Sequence, residues 1–289
     1  MPKSVDPLRR LKREATVLLR TVQQRVRFRQ FSSAELPVIF GNAMPKSGSH
    51  ILMQFLEGLL QIAPFVMRSK LPVRTLTLEG RRRSQSEILQ DLIRLRHGEI
   101  GWGYIPATAQ TMAALDGVDR LSFFVYRDPR DKIISHIFYA LDIHEGHRMR
   151  AYYRDQLHSM EERIEATIHG VTQEPYSLPN IAENYVRYLP WLDHPRALAI
   201  RFEDLVNKQD VTLMRMLQHV ESSGYDIQMP RQQAIDTLVR ALDPGRSPTF
   251  REGKSGGWRE YFSPRNVASF KEVAGDLLQK LGYESSSDW

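Results

Sequence analysis

Residues 37–56 read PVIFGNAMPKSGSHILMQFL, and the order of their patterns decides the architecture. Residues 37–41 are a short apolar run with a β-branched centre that closes on glycine, the signature of a buried strand. Between residues 50 and 61, Ile51, Leu52, Phe55, Leu56 and Leu59 recur at helical spacing. The loop between them, residues 44–50, reads MPKSGSH. A loop entering a helix N-terminus presents main-chain N–H groups to an anion. Lys46 adds a cation, and Ser47 and Ser49 add hydroxyl donors. By itself the segment reads as a phosphate or sulfate cradle or as an ordinary polar turn.

The same alternation returns twice. Residues 121–126 (LSFFVY) form a second strand, and Asp128-Pro129 opens a helix through Ala140, with proline suited to the first turn. Residues 197–202 (ALAIRF) form a third, followed by Glu203-Asp204 and a helix into the 210s. Three strand–helix alternations predict an α/β fold, three-layered around a central, mostly parallel sheet. The polar, helical stretch 144–191 is expected to cover one side of that sheet. Ser263-Pro264 is a helix start, and residues 285–287 are expected to fray.

The chain has 289 residues, no cysteine and a formal charge of +6. Disulfides and thiolate–metal sites are excluded. No stretch approaches the roughly 18 apolar residues of a membrane span, and the N-terminus lacks a secretory-type apolar run. A cytoplasmic protein is expected. Nine basic and two acidic residues give residues 1–34 a balance of +7, so the remainder carries −1. The high isoelectric point therefore belongs to an N-terminal arm, which argues against nucleic acid as a partner of the main body, residues 35–289. Within the arm, residues 7–30 read as an amphipathic helix with Leu8, Leu11, Ala15, Leu18, Val22 and Val26 on one face. That face fits packing on the protein itself, self-association through a short coiled coil, or an anionic, membrane-peripheral surface.

The nucleotide-kinase loop G-x-x-x-x-G-K-[ST] does not match, because Lys46 precedes Gly48 instead of following a glycine, so the Gly-Lys-Ser/Thr order that would serve Mg²⁺ is absent. Instead, Pro45-Lys46-Ser47-Gly48-Ser49 resembles the 5′-phosphosulfate loop of sulfotransferases that use 3′-phosphoadenosine-5′-phosphosulfate (PAPS). Residues 126–136 (YRDPRDKIISH) resemble the same family's 3′-phosphate element, with Arg127 and Ser135 at its binding positions. Residues 250–259 (FREGKSGGWR) resemble its late loop, where Arg251 and Gly253 carry over. Residues 201–205 (RFEDL) match its strand end. The resemblance spans roughly residues 36–265 and implies a P-loop nucleotide-binding type of fold. It also implies PAPS as co-substrate, 3′,5′-adenosine bisphosphate (PAP) as product, and no metal. Lys46, Ser47, Gly48, Ser49 and His50 would hold the 5′-phosphate end, with Lys46 stabilising the leaving oxygen. A nucleotide-dependent kinase, or an inactive nucleotide-binding relative, is the alternative.

The chain departs from the family at several positions. Ile51 stands where many members stack a Trp on adenine, a role Phe202 could take. Glu252 replaces a Lys and Gly257 an Asp. Residues 103–108 (GYIPAT) resemble the family's Gly-His-Leu-Pro-Tyr-Ser element, but Tyr104 occupies the position of its catalytic histidine. His97, Glu99 and Tyr104 itself are the candidate bases. The acceptor is a small molecule, saccharide or lipid bearing a hydroxyl or amine. The basic stretch 70–83, with Arg74, Arg81, Arg82 and Arg83, could face an anionic acceptor or simply be solvated. His144, His147 and His158 lack the spacing of a metal site.

Overall fold

The computed structural model describes residues 7–29, 33–75, 81–117, 119–246 and 255–289. In chain order its elements begin with α1 (Pro7–Arg27), β1 (Val38–Ala43), α2 (Ser49–Ile62), β2 (Val66–Met67) and α3 (Gln85–Ile93). They continue with β3 (Glu99–Gly103), α4 (Ala109–Leu115), β4 (Arg120–Tyr126), α5 (Pro129–Phe138), α6 (Met160–His169) and α7 (Ile181–Val186). The last are β5 (Ala197–Arg201), α8 (Phe202–Asn207), α9 (Gln209–Glu221), α10 (Arg231–Ala241), α11 (Pro264–Ala274) and α12 (Leu277–Lys280). The strands form one sheet in the order β2-β3-β1-β4-β5, parallel at every pairing.

All six residues of β1 are buried, as a strand covered on both faces requires. Its side chains alternate between two cores. Val38 and Phe40 join Phe124, Tyr126 and residues of α5, α6, α7 and α11. Ile39 and Ala43 join Phe123, Val125 and residues of α2, α9 and α10. Helices thus cover both faces, and the expected three-layer α/β sheet is present. At Gly41 a Cβ would lie 2.5 Å from a methyl carbon of Leu56, so glycine lets α2 rest directly on the central strand.

Two strands escaped the sequence reading. β2 has only two residues. β3 carries glycine at 101 and 103 and a charge at its first position, which hides a strand pattern. The glycines are steric necessities, since a Cβ at 103 would lie 2.3 Å from the carbonyl oxygen of Val73. Other boundaries shift slightly. α5 ends at Phe138 and a π-helical turn, Tyr139–Ile143, continues from it. Phe202 opens α8 rather than ending β5. Residues 144–191 do cover one face, and Ser263 caps α11 with Pro264 in its first turn. Residues 285–287 are exposed, yet Trp289 returns to pack on Trp258 and Phe270.

α1 docks in an inverted sense. Val17 is buried, Arg20 donates to the carbonyl of Met67 at 2.7 Å, and Gln24 donates to the carbonyls of Leu60 and Phe65. Leu18, Leu19, Val22 and Val26, on the apolar face, are exposed. Packing of that face on the rest of the chain is therefore not what the fold uses; polar side chains seat the helix instead. Among the described residues no helix is long and apolar enough to cross a membrane.

Candidate active site

β1 and β4 are neighbours, but the helices that follow them leave in opposite directions. α2 enters one core and α5 the other. Their first turns diverge and open a crevice at the C-terminal ends of the two strands, the topological switch point where open α/β sheets bind ligands.

The loop 44–50 lines one side of this crevice. Lys46 has φ of 67° and Gly48 of 93°, both left-handed. Glycine at 48 is required twice over, because a Cβ there would also lie 2.4 Å from the ring of Phe202. Gly48 caps α2 with no side-chain hydrogen bond. The first-turn N–H groups of α2 therefore have no intrahelical acceptor and face the loop. Ser47 and Ser49 are buried. Asn42, also buried, donates to the carbonyl of Ile105 at 2.9 Å and accepts its N–H at 2.8 Å. This two-way clamp brings Tyr104 to the loop, where its hydroxyl donates to Ser49 Oγ at 2.8 Å.

Arg127 leaves β4 on the other side, with its guanidinium over the ring of Phe202 at 4.6 Å. Phe202 is thus buried between Gly48 and Arg127, and supports the loop rather than offering an open face to a base. The carbonyl of Arg127 accepts from Tyr185 at 2.8 Å. Asp128 caps α5 and is gripped by the fork of Arg130. Asp131 accepts the main-chain N–H groups of Gly256 at 2.7 Å and Trp258 at 2.9 Å. Ser135 is half-buried on α5. Arg251 and Gly253, with Glu252, lie outside the described residues, immediately before this tether.

The electrostatics fit an anion. Burial first, and the nearby Arg127 second, lower the Lys46 ammonium to about 8. Two cations converge here, a conflict that a bound phosphate or sulfate relieves. His50 is lowered by burial and by Lys46.

Lys46 Nζ lies 4.0 Å from the centre of the Tyr139 ring. Around that ring sit His144 at 5.5 Å and His147 at 5.7 Å, and His136 packs on His147 at 5.1 Å. This histidine group was not legible as a site. The π-helical turn brings it together through a bond from His144 N to Tyr139 O at 2.9 Å, and such turns give no sequence signature. Burial holds His136 down to about 3 and His147 down to about 4, so both are neutral at pH 7.

The three expected bases fare differently. Glu99 opens β3 and His97 lies two residues before it, so both stand at the N-terminal end of the parallel strands, opposite the end that carries the loop. His97 pairs with Asp119 at 3.2 Å and Glu99 with Arg68 at 2.8 Å. Four residues of strand, about 13 Å, separate Glu99 from the crevice end of β3. The structure does not bring either to the loop. Tyr104 does reach it, but burial raises its phenol, so it stays protonated near neutral pH and offers little phenolate to take a proton. In the basic stretch, Arg81 pairs with Glu87 and Arg83 with Asp91 of α3, which gives these two arginines a structural task.

A parallel sheet with a glycine-initiated helix and two converging cations at its switch point defines a mononucleotide-binding class of protein. Within that class, the sulfotransferase domain model matches residues 123–282, more than half of the chain. The chain belongs to the sulfotransferase family, enzymes that move a sulfuryl group from PAPS to an acceptor, and the kinase alternative is not favoured. The matched region begins after the loop 44–50, so that loop stands on its own residues. No curated protein matches the chain.

Solved structures agree in fold. Mouse sulfotransferase SULT7A1 complexed with PAP is 16% identical with a TM-score of 0.54, over 86% of this chain and 85% of that one. Retinol dehydratase in complex with androsterone and inactive cofactor PAP is 14% identical with a TM-score of 0.54, over 90% and 85%. Its complex with retinol and PAP is 15% identical with a TM-score of 0.53, over 84% and 81%.

Proposed function

We propose that the crevice between β1 and β4 carries sulfuryl transfer from PAPS to a hydroxyl of a small-molecule acceptor, with His144 as the base. The observation that carries this reading is that two mutually repelling cations, Lys46 and Arg127, flank the left-handed loop whose Gly48 opens α2 without a side-chain cap. N–H groups of residues 48–50 hold the 5′-phosphate, the N–H of Ser47 being taken by the carbonyl of Met44 at 3.1 Å, and Arg127 and Ser135 hold the 3′-phosphate, joined by Arg251 and Gly253. Lys46 neutralises the oxygen that departs from sulfur. Androsterone and retinol in the neighbouring complexes support a small-molecule acceptor over a saccharide.

The acceptor oxygen attacks sulfur in line, its proton passes to His144, and the bond from sulfur to the 5′-phosphate oxygen breaks. That oxygen keeps the electron pair beside Lys46. Such a loose transfer rests mainly on positioning and charge. His144 is chosen over its neighbours on physical grounds. It is exposed beside Tyr139. His147 Nδ1 accepts the N–H of Met149 at 3.3 Å, so the neutral ring carries its proton on Nε2 and is a donor. The Nε2 of His136 is buried.

Incubation with sulfur-labelled PAPS and a panel of sterols, retinoids and phenols tests the reading. Wild type should label an acceptor, and His144→Ala should lower turnover about 10²–10⁴-fold with little change in KM for PAPS. Full turnover in His144→Ala contradicts its role. Absence of labelling across the panel, with PAP bound normally, counts against the small-molecule acceptor class.

A further inference from the structure

The inverted docking of α1 leaves an outward apolar row. Leu18 is 67% exposed, Leu19 59%, Val22 48% and Val26 74%. They recur at spacings of three and four and share one face. The opposite face holds Val17, Arg20 and Gln24, which bind the domain. The row continues onto a second element: Ile93, at the end of α3, is 61% exposed and lines the same depression as Ala15, Leu18, Arg94 and Arg96. Arg25 is exposed on the helix, and Arg29 is exposed two residues beyond its end. A row of large side chains turned to water on a helix already fixed by its other face needs an occupant.

We infer that this face binds an anionic lipid bilayer, with Leu18, Leu19, Val22, Val26 and Ile93 entering the acyl boundary and the arginines meeting headgroups. Charge selects this occupant. Residues 1–34 carry +7 and the rest of the chain −1. A two-fold contact between copies would set this basic helix against itself, whereas an anionic surface satisfies the apolar row and the arginines together. α1 also lies across the N-terminal ends of the strands, beside Val38, Glu99 and Arg120. The crevice opens at the other end, so the docked enzyme would take its acceptor from the aqueous side.

The full chain should co-sediment with phosphatidylserine–phosphatidylcholine vesicles and not with phosphatidylcholine alone, and binding should weaken steeply as salt rises above about 0.15 M. The double variant Leu18→Glu/Val22→Glu should lose at least about ten-fold in vesicle affinity while keeping the thermal midpoint and PAP affinity of wild type. PAP affinity reads the crevice separately, so failure here and failure of the sulfotransfer reading are distinguishable. Equal binding by wild type and variant overturns the inference, as does absence of binding to either vesicle. So does a dimer in light scattering that the same variant dissociates, which would make the occupant a second copy.

Discussion

The carboxylate of Asp131 accepts the main-chain N–H of Trp258 at 2.9 Å, tying the first turn of α5 to the loop that follows residues 247–254. Gly256 is held by the same carboxylate at 2.7 Å. Arg251 is five residues upstream of that anchor, within about 17 Å of extended chain. We propose that this anchor serves the phosphate contact which the family resemblance assigns to Arg251.

Asp131→Asn should consequently weaken PAP binding about ten-fold, since one of two charge-assisted bonds becomes a clash of donors. Calorimetric titration measures it. Unchanged affinity would separate the late loop from the phosphate site.

Lys46 supplies a pH dependence that needs no acceptor to observe. Its ammonium is lowered to about 8, so the free enzyme loses this charge as pH rises through that value. PAP affinity should fall above pH 8 in wild type and stay flatter in Lys46→Arg, whose charge persists. Parallel pH curves for the two proteins would remove Lys46 from the phosphate contacts.

Lys132 predicts a stability trend. It is buried on α5, donates to Asn184 Oδ1 at 2.7 Å, and is held by burial down to about 7. The unfolded chain keeps this proton up to about 10.4 and binds more protons between the two values. Stability should thus rise with pH from about 7 towards 10, by at most about 1.4 kcal/mol per pH unit. Lys132→Met should flatten the trend in urea unfolding between those limits. An equal slope in both proteins would contradict this origin.

Gly48→Ala tests the loop itself. The left-handed backbone costs about 1 kcal/mol for alanine, and the new Cβ meets Phe202 at 2.4 Å. Displacing Phe202 also displaces Arg127, which stacks upon it. Loss of PAP binding should exceed the modest loss in thermal midpoint, a comparison that calorimetry and thermal unfolding make together.

The strand–turn–helix arrangement around loop 44–50 and Arg127 was legible because its parts follow one another in sequence, so local pattern fixes their neighbourhood. The proposed base was not. His144 reaches Tyr139 through a π-helical turn, and nothing in a hydrophobic pattern reports one extra residue per turn. Glu99 and His97 lie close in sequence to Tyr104, but β3, whose pattern Gly101 and Gly103 hide, holds them at the N-terminal end of the sheet's strands, away from loop 44–50. The spacing of apolar residues marks α1 as a helix with one apolar face, but pattern alone does not say which face docks. Hydrogen bonds from Arg20 and Gln24 to main-chain carbonyls decide that, and these depend on tertiary contact.

Titration of the wild-type chain with PAP, beside Arg127→Ala, tests the central claim most directly. The account predicts saturable one-to-one binding to wild type without added metal, weakened by at least about ten-fold in a folded Arg127→Ala. Absence of binding to wild type, or equal affinity in the two proteins, would contradict it.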